Sequence, residues 1–379
     1  GLLSPPTCCT FSRHSPPRED MTTIFDDLEL EDELEEEEEV SVVYDIASYP
    51  SDFTLAGIAQ MWKDGDIEIP DFQREFVWTI RQSSLLIDSF LCGLPVPPVF
   101  FYVDEDNKNL VIDGQQRILS VVYFIEGYFG NESTQGKRQV FRLTGLSDKS
   151  SYAGRRFHEL EDADQRKLKQ SVLRAVNIRQ LKPTGEGTSA YHIFERLNTG
   201  GTPLKPQEIR NSVFRGQLAS KLKEANRDKN WRKILGKPNL DKHQKDVEIL
   251  LRLFALAGAA DKYEKPMKEY LNCAMRRHAA GTGKKVEVFF NVFPKVAALV
   301  ADALGAKPFN LRGPLNASAL DAVMTVLLEQ PDALSPEQLR ERYATLSLHP
   351  EFKELTLLAT TDTKTVHGRV KLARKILMG

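Results

Sequence analysis

The sequence predicts an α+β N-terminal domain followed by an all-α helical domain. Between residues 43 and 204, short apolar runs alternate with turn residues, whereas almost every segment after Pro206 shows helical periodicity. The 379 residues, of which 41% are apolar and 27% charged, are enough for two domains with their own cores. This composition excludes a fibrous or wholly disordered chain.

The first half is predicted to mix helices and strands. An apolar-periodic stretch between Thr79 and Gly93 has a helix cap at one end and a terminator at the other. The polar turn 104–109 joins two apolar runs, which predicts a hairpin of buried strands. The predicted helices are 55–62, 80–92, 115–126 and 188–197, and the predicted strands are 67–69, 98–103, 110–112, 141–143 and 172–181.

The second half, residues 205–379, is predicted to contain helices only. Gly, Pro and Asn residues separate the periodic segments. The predicted helices are 207–214, 246–257, 266–278, 286–304, 318–328, 336–346 and 364–377. The chain shows no internal repeat of fixed period, which argues against a solenoid.

An acidic leader precedes both domains. Residues 1–42 hold 13 acidic and two basic residues, a net charge of −11, so the rest of the chain carries +9 within a total of −2. The run between Asp26 and Glu39 is predicted to be disordered, because like charges repel and have little to bury. The alternative is an acidic mimic of DNA that shields the basic body. Residues 1–20, before Met21, lack periodicity and are expected to be non-native.

Cysteine usage and hydropathy predict a cytoplasmic protein without a membrane partner. The adjacent Cys8 and Cys9 and the isolated Cys92 and Cys273 form neither a disulfide framework nor a metal-ligand spacing. No stretch approaches the roughly 18 consecutive apolar residues of a membrane span.

The most informative motif is Asp113-Gly114-Gln115-Gln116-Arg117, which lies between a predicted strand and the first turn of a helix. Amide groups at a helix N-terminus bind phosphate readily, and a guanidinium suits phosphate oxygens. Gly114 would let a ligand approach the backbone, the two glutamine amides would add donors, and Asp113 could hold a magnesium-bound water or a ribose hydroxyl. Alternatively, Asp113 is an ordinary N-cap and the following residues face solvent.

Two further clusters could complete a polar pocket. In the first, Gln73 and Arg74 lie among aromatic residues just before a helix, where they could bind an anion or a base edge. In the second, Asn198 and Thr199 precede a Gly-Gly turn after a helix. The alternatives are a strand-to-helix corner for the first cluster and a helix C-cap for the second.

Other chemistries lack the necessary residues. The seven histidines are scattered without a metal-ligand spacing, so we expect no protein-bound metal centre. The Walker-type phosphate loop and the Gly-x-Ser-x-Gly motif are both missing from the sequence. A basic segment near the C-terminus predicts a DNA-contacting surface, with a solvated helix face as the alternative. Its candidate contacts are Lys364, Arg369, Lys371 and Arg374.

In their order along the chain and in their residues, the three clusters resemble motifs of the N-terminal domain family of GmrSD-type restriction endonucleases. The likeness continues into the helical half through Asp246-Val247-Glu248 and spans roughly residues 45 to 375. The matching segments are Ile69-Pro70-Asp71-Phe72-Gln73-Arg74, Asp113-Gly114-Gln115-Gln116-Arg117, and Phe194 through Leu204 with Gln207-Glu208-Ile209-Arg210-Asn211.

This resemblance implies a ParB/sulfiredoxin-like fold with nucleotide phosphates over Gly114–Arg117. It also implies a nucleotide-binding and NTP-hydrolysing component of a restriction system that senses modified DNA. Because HNH histidines are missing, cutting is expected from a partner HNH nuclease. The alternative is a non-enzymatic DNA- or protein-binding adaptor.

The three motifs, taken together with the resemblance, give expected roles for individual residues. The expected ligand is a nucleoside triphosphate with Mg²⁺. The expected catalytic residues are Asp113, Gln116 and Arg117, and the expected nucleotide contacts are Gln73, Arg74, Gly114, Gln115, Asn198 and Thr199.

Overall fold

A mixed five-stranded sheet forms the centre of the first half of the chain. The computed structural model describes residues 25–31, 44–69, 76–130, 136–182, 188–197 and 205–379. The sheet has the strand order β1-β7-β3-β4-β2, and β5 pairs with β6 in a separate ribbon. The strands are β1 Asp45–Thr54, β2 Ile67–Glu68, β3 Val99–Val103, β4 Asn109–Asp113, β5 Tyr128–Phe129, β6 Gln139–Val140 and β7 Val172–Lys182.

Strand direction determines which loops share an edge of the sheet. The predicted hairpin is confirmed, because β3 and β4 are antiparallel neighbours. β2 runs parallel to β4, with Ile67 opposite Asn109. The carboxyl ends of parallel neighbours lie at the same edge. Ile69, just after β2, therefore lies at the same edge as Asp113.

The first hydrophobic core lies on one face of this sheet. It joins Phe101 and Val111 of the strands to apolar side chains of four helices, among them Ile118 and Phe124. Thr79 caps the second of these helices in a capping box with Gln82, as the sequence predicts. The helices are α1 Leu55–Asp64, α2 Ile80–Cys92, α3 Gln115–Glu126 and α4 Asp162–Gln170.

The second core begins on the opposite face of the sheet. Successive strand side chains point to opposite faces, so Tyr102 and Ile112 leave the first core and contact the second. There they join Tyr191 and Phe194 of α5 (Ser189–Leu197), which precedes the predicted domain boundary. The second core continues from α5 into the helical half.

The helical half surrounds one almost fully buried helix, α12, which contacts α9, α11 and α15. The predicted all-helical character of this half is confirmed. Within the described residues, no helix is long and apolar enough to cross a membrane. The helices are α6 Pro206–Val213, α7 Gln217–Ala225, α8 Lys229–Leu235, α9 Lys245–Leu256, α10 Met267–Arg277, α11 Lys284–Ala303, α12 Ala317–Glu329, α13 Pro336–Leu348, α14 Pro350–Leu355 and α15 Thr363–Met378.

Two predictions about local structure are wrong. The strand predicted at 141–143 is irregular chain, whose apolar pattern arises because Phe141 and Leu143 are buried in the first core. The acidic leader is not disordered between residues 25 and 31. This segment lies along the helical half, where Asp26 and Leu30 form bridges to Asp241 and Leu315. The glutamate run beyond Glu31 lies outside the described residues.

Candidate functional site

The Gly114 motif forms a sharp corner between β4 and α3. Gly114 has φ of 100°, a conformation that glycine adopts without strain. A Cβ atom at this position would lie 2.3 Å from Cγ1 of Val99. The alternative that Asp113 is the N-cap is wrong, because Gly114 occupies that position. Since glycine has no side chain, the N-cap residue offers no side-chain acceptor to the first-turn amides of α3.

Arg117 folds back from α3 toward the edge of the sheet. Its Nη2 donates to the Asp113 carboxylate at 2.8 Å and to the Pro98 carbonyl at 3.0 Å. The Arg117 side chain is 17% exposed and that of Asp113 is 58% exposed. The buried Nε of Arg117 has no hydrogen-bond partner among the described residues. The Arg117 guanidinium is thus held at the corner beside the accessible Asp113 carboxylate, and its Nε is available as a further hydrogen-bond donor.

Gln116 joins α3 to the chain that follows the Gln73-Arg74 cluster. Its Oε1 accepts hydrogen bonds from the amides of Val77 at 3.0 Å and Trp78 at 3.1 Å. Gln115 is buried, with only 8% of its surface exposed. Both glutamines therefore contribute to the construction of the corner. Their predicted roles toward a ligand stay predictions.

Two of the predicted pocket contacts, Gln73 and Arg74, lie outside the described residues. The described chain on either side of them lies at the same edge of the sheet as the corner or packs on α3. Ile69 lies at the edge of the sheet that also holds Asp113, and Phe76 packs edge-to-face on Tyr123 of α3, with ring centroids 5.1 Å apart. Phe76 thus packs on the first core.

The third motif begins at the end of α5, and its predicted contacts Asn198 and Thr199 also lie outside the described residues. Just before them is a polar cluster that sequence reasoning missed. Thr188 Oγ1 donates to Glu269 at 2.6 Å, and Nε2 of His192 lies 2.9 Å from the same carboxylate. Tyr44 adds a hydroxyl 2.7 Å from Thr188. The only sequence signal was the helical spacing of His192 and Glu195.

The pKa values in this cluster follow from burial and pairing. Burial lowers the pKa of His192, but hydrogen bonds to Glu195 and Glu269 outweigh this effect and raise it to about 9. For Glu195, burial alone would raise the pKa, and the bonds to His192 and Lys268 lower it to about 2. The cluster is therefore an ionised network at neutral pH.

The motif residues of the helical half hold helices together. Arg210 is 1% exposed and donates to Glu248 at 2.7 Å and to Asn272 at 2.8 Å, which joins α6 to α9 and α10. Arg232 pairs with Asp246 at 2.9 Å in the same region. Breaking a buried pair of this kind is costly, so these positions are constrained by stability.

The predicted DNA-contacting residues differ in exposure. Arg369 is fully buried beside Asp321, with its Nη1 bonded to the Thr360 carbonyl, so the prediction that it contacts DNA is wrong. Its charge is needed in the interior, where Asp321 also pairs with Arg252. Arg374 is paired with Glu329 at 2.9 Å. Lys364 and Lys371 are exposed, and DNA contact by them stays a prediction.

The described residues contain no group of three or more His, Cys, Asp or Glu side chains placed to hold a metal ion. A magnesium ion that arrives with a nucleotide needs only one or two carboxylates beside the phosphates. Asp113 is an exposed carboxylate at the corner, paired with Arg117 at 2.8 Å, and magnesium contact by it stays a prediction.

The fold and the corner define an α+β domain with a sharp strand-to-helix turn at Gly114, attached to a helical domain. Residues 56–215 match the family described as GmrSD restriction endonuclease, N-terminal domain. The predicted family is thus confirmed over these residues, while its continuation through the helical half and the ParB/sulfiredoxin-like fold stay predictions. No curated protein and no solved structure matches the chain.

Proposed function

We propose that this protein is the nucleotide-binding, NTP-hydrolysing sensor component of a restriction system that acts on modified DNA. The family match supports the link to restriction systems. The observation that carries the nucleotide assignment is the corner at Gly114, where α3 begins at a glycine without a side-chain cap. It lies beside the Arg117 guanidinium, whose Nε has no partner among the described residues.

Phosphate binding at this corner follows from the electrostatics of α3. Unsatisfied amides and the aligned peptide dipoles give the start of a helix a partial positive charge. A phosphate there would accept hydrogen bonds from the amides of Gln115 and Gln116, and Arg117 would add a charged donor. Gly114 permits the approach because nothing projects from its Cα toward the ligand.

Asp113 has a second role in the proposal. In the present structure its carboxylate accepts a hydrogen bond from Arg117. When Arg117 turns toward a phosphate, Asp113 becomes free to orient a magnesium-bound water or the attacking water. Bound Mg²⁺ would neutralise charge on the phosphates during transfer. In this proposal, an HNH nuclease partner works with this domain to cut the DNA.

A non-enzymatic DNA-binding adaptor is the second candidate. Lys364, Lys371 and Lys375 are exposed on α15, at spacings that place them along one side of the helix. Phosphate contacts by such lysines predict DNA binding that weakens steeply with salt and does not depend on nucleotide.

Nucleotide affinity of an Arg117→Ala variant tests the proposal. We expect wild-type protein to bind at least one of ATP, GTP, CTP or UTP with Mg²⁺ in calorimetry. Loss of a charged hydrogen-bond donor should weaken binding by about 10- to 100-fold. Arg142→Ala is the matched control, since Arg142 is an ion-paired surface arginine of the same domain, bonded to Glu159 at 2.7 Å.

Equal affinity in wild type and Arg117→Ala would refute the assignment of the corner. Binding of DNA but of no nucleotide would favour the adaptor.

A further inference from the structure

A cavity in the helical half has an unusual excess of positive charge. It has a volume of about 420 Å³ and lies between the end of α9, one face of α10 and the start of α11. This volume is within the range of small-molecule sites in proteins. Its basic lining residues are Lys262, Lys265, Arg277, His278 and Lys285.

Lys285 is fixed at the inner end of this cavity. Its ammonium donates to the carbonyl of Ala255 at 3.0 Å, near the end of α9, and lies 5.4 Å from the ring centroid of Phe254. Burial, and then the charge of Arg277, lower the pKa of Lys285 to about 8. The backbone carbonyl supplies only a partial negative charge, so the ammonium is not neutralised.

The surrounding charges increase this imbalance. Burial, Lys285 and Arg277 also lower the pKa of His278. In the part of the chain that the structure describes, neither Arg277 nor Lys285 makes an ion pair. The lining carboxylate of Glu269 is already bonded to His192 at 2.9 Å.

Two further lining residues do not remove the excess. Lys265 pairs with Asp362 at 2.9 Å. Glu264 is exposed at the rim of the cavity. Two cations that face one pocket without a carboxylate between them favour an anionic occupant.

The remaining wall is aromatic. Tyr270 lies on α10, one turn before Ala274 and two turns before Arg277, so its ring and the guanidinium face the same cavity. The Tyr270 hydroxyl is bonded to the Ala255 carbonyl at 2.9 Å, which fixes the ring. An occupant could therefore place an anionic group between Arg277 and Lys285 and a flat apolar group against Tyr270.

We propose that this cavity, between Arg277, Lys285 and Tyr270, binds the phosphate group of a small aromatic phosphate ester of about mononucleotide size. The site is separate from the Gly114 corner, and the proposal does not rest on the nucleotide function assigned there. It gives the helical half a ligand site of its own.

Labelling with pyridoxal 5′-phosphate, followed by borohydride reduction and peptide mass analysis, tests this site. The reagent carries an aromatic ring, a phosphate and an aldehyde that reacts with unprotonated amines. At pH 7.5 we expect Lys285 to be labelled at least tenfold faster than the adjacent, exposed Lys284, which is the control within the same chain. Pyridoxal without phosphate should show a smaller preference, because only the lowered pKa of Lys285 then favours its reaction.

Protection from labelling then identifies the ligand class. Millimolar AMP should slow labelling of Lys285 at least fivefold and leave Lys284 unchanged, and inorganic phosphate should protect less well. Equal protection by phosphate and AMP would contradict the proposal that the ligand is an aromatic ester, and would show that the cavity binds an inorganic anion only. Equal protection by adenosine and AMP would contradict the phosphate contact.

Arg277→Gln keeps the test independent of folding, because Arg277 is exposed whereas Lys285 bonds a helix carbonyl. We expect this variant to unfold at the wild-type temperature and to lose protection by AMP. Equal labelling of Lys284 and Lys285 in wild type, or full AMP protection in Arg277→Gln, would overturn the proposal. Arg117→Ala should keep the protection, which separates this site from the corner.

Discussion

At the scale of single residues, the conformation of the corner favours glycine at position 114 over any other residue. Gly114 combines a positive φ with close contact to Val99, so both its backbone and the absence of a side chain matter. Sequence alone indicated this residue because a glycine after an apolar run and before a helix is typical of a strand-to-helix turn. It did not indicate that Arg117 would fold back onto Asp113, since that contact depends on the path of the backbone.

Replacing Gly114 by alanine should lower the free energy of unfolding by about 2–3 kcal/mol, because strain at positive φ adds to a contact with Val99. Gly65→Ala is the matched control: it has φ of 79° and open space around the added methyl group, and should cost about 1 kcal/mol. Urea unfolding of both variants measures the difference. Equal costs would show that Val99 does not restrict the corner.

The sequence also did not show which of the charged residues are buried. Arg369 and Lys371 are two residues apart and belong to one basic segment, yet Arg369 is fully buried and Lys371 is exposed. The distinction arises because Arg369 faces Asp321 of α12, a contact between distant parts of the chain. Charge alone therefore could not separate a structural arginine from a surface lysine.

At the scale of elements, periodicity identified most helices because their buried faces are regular. It missed β1, whose side chains are largely exposed, and α4, in which only Leu168 is buried. An element without a buried face shows no apolar period, so β1 and α4 are held by pairing and by their neighbours. The short helices α7, α8 and α14 were also missed, because six to nine residues are too few to establish a helical period. β1 is defined by its ten-residue pairing with β7.

The leader segment at residues 25–31, which lies against the helical half, is a further element that the composition did not predict. Leu28 is 2% exposed, and its amide donates to Asp241 at 2.8 Å. Asp26 and Glu31 bond to the same half of the protein, to Leu240 and Leu315. The acidic composition suggested disorder, whereas two apolar residues and backbone bonds are enough to fix seven residues on a preformed surface.

Leu28→Ala should therefore loosen this segment and lower the free energy of unfolding by about 2 kcal/mol, through lost burial. Phe25→Ala provides the comparison, because Phe25 is 53% exposed and its loss should change stability by less than about 0.5 kcal/mol. Thermal unfolding with limited proteolysis of the leader measures both. A Leu28→Ala protein with wild-type stability and protease resistance would show that the segment is not docked in solution.

At the scale of the whole molecule, one sheet supports two cores. Its first face packs on α1 to α4, and its second face contacts α5 and the helical half. The sequence predicted an α+β half and a helical half, because the two patterns of periodicity differ. It could not predict that both halves pack on the same sheet. The side chains of a short buried strand are apolar on both faces, and this pattern does not indicate which elements cover each face.

The network of His192 links the two halves and should make stability depend on pH. Because the folded-state pKa of about 9 lies above the unfolded value of about 6.5, the contribution is complete below pH 6.5 and is lost as pH rises through 9. The advantage of wild type over His192→Gln should therefore shrink by on the order of 1 kcal/mol between pH 6 and 9.5. Urea unfolding across this range measures it.

The exposed His158 gives the control for that series, since His158→Gln should follow the wild-type curve at every pH. A difference between wild type and His192→Gln that stays constant, or grows, with rising pH would contradict the paired imidazolium.

The central claim is that nucleotide phosphates bind at the start of α3. Amide hydrogen exchange of the full chain, with and without a saturating Mg²⁺-nucleotide, tests it most directly. We predict slower exchange in peptides that cover Gly114–Ile118, in wild type and not in Arg117→Ala, because bound phosphate occupies the first-turn amides. Unchanged exchange at Gly114–Ile118 in a nucleotide-saturated protein would contradict the claim.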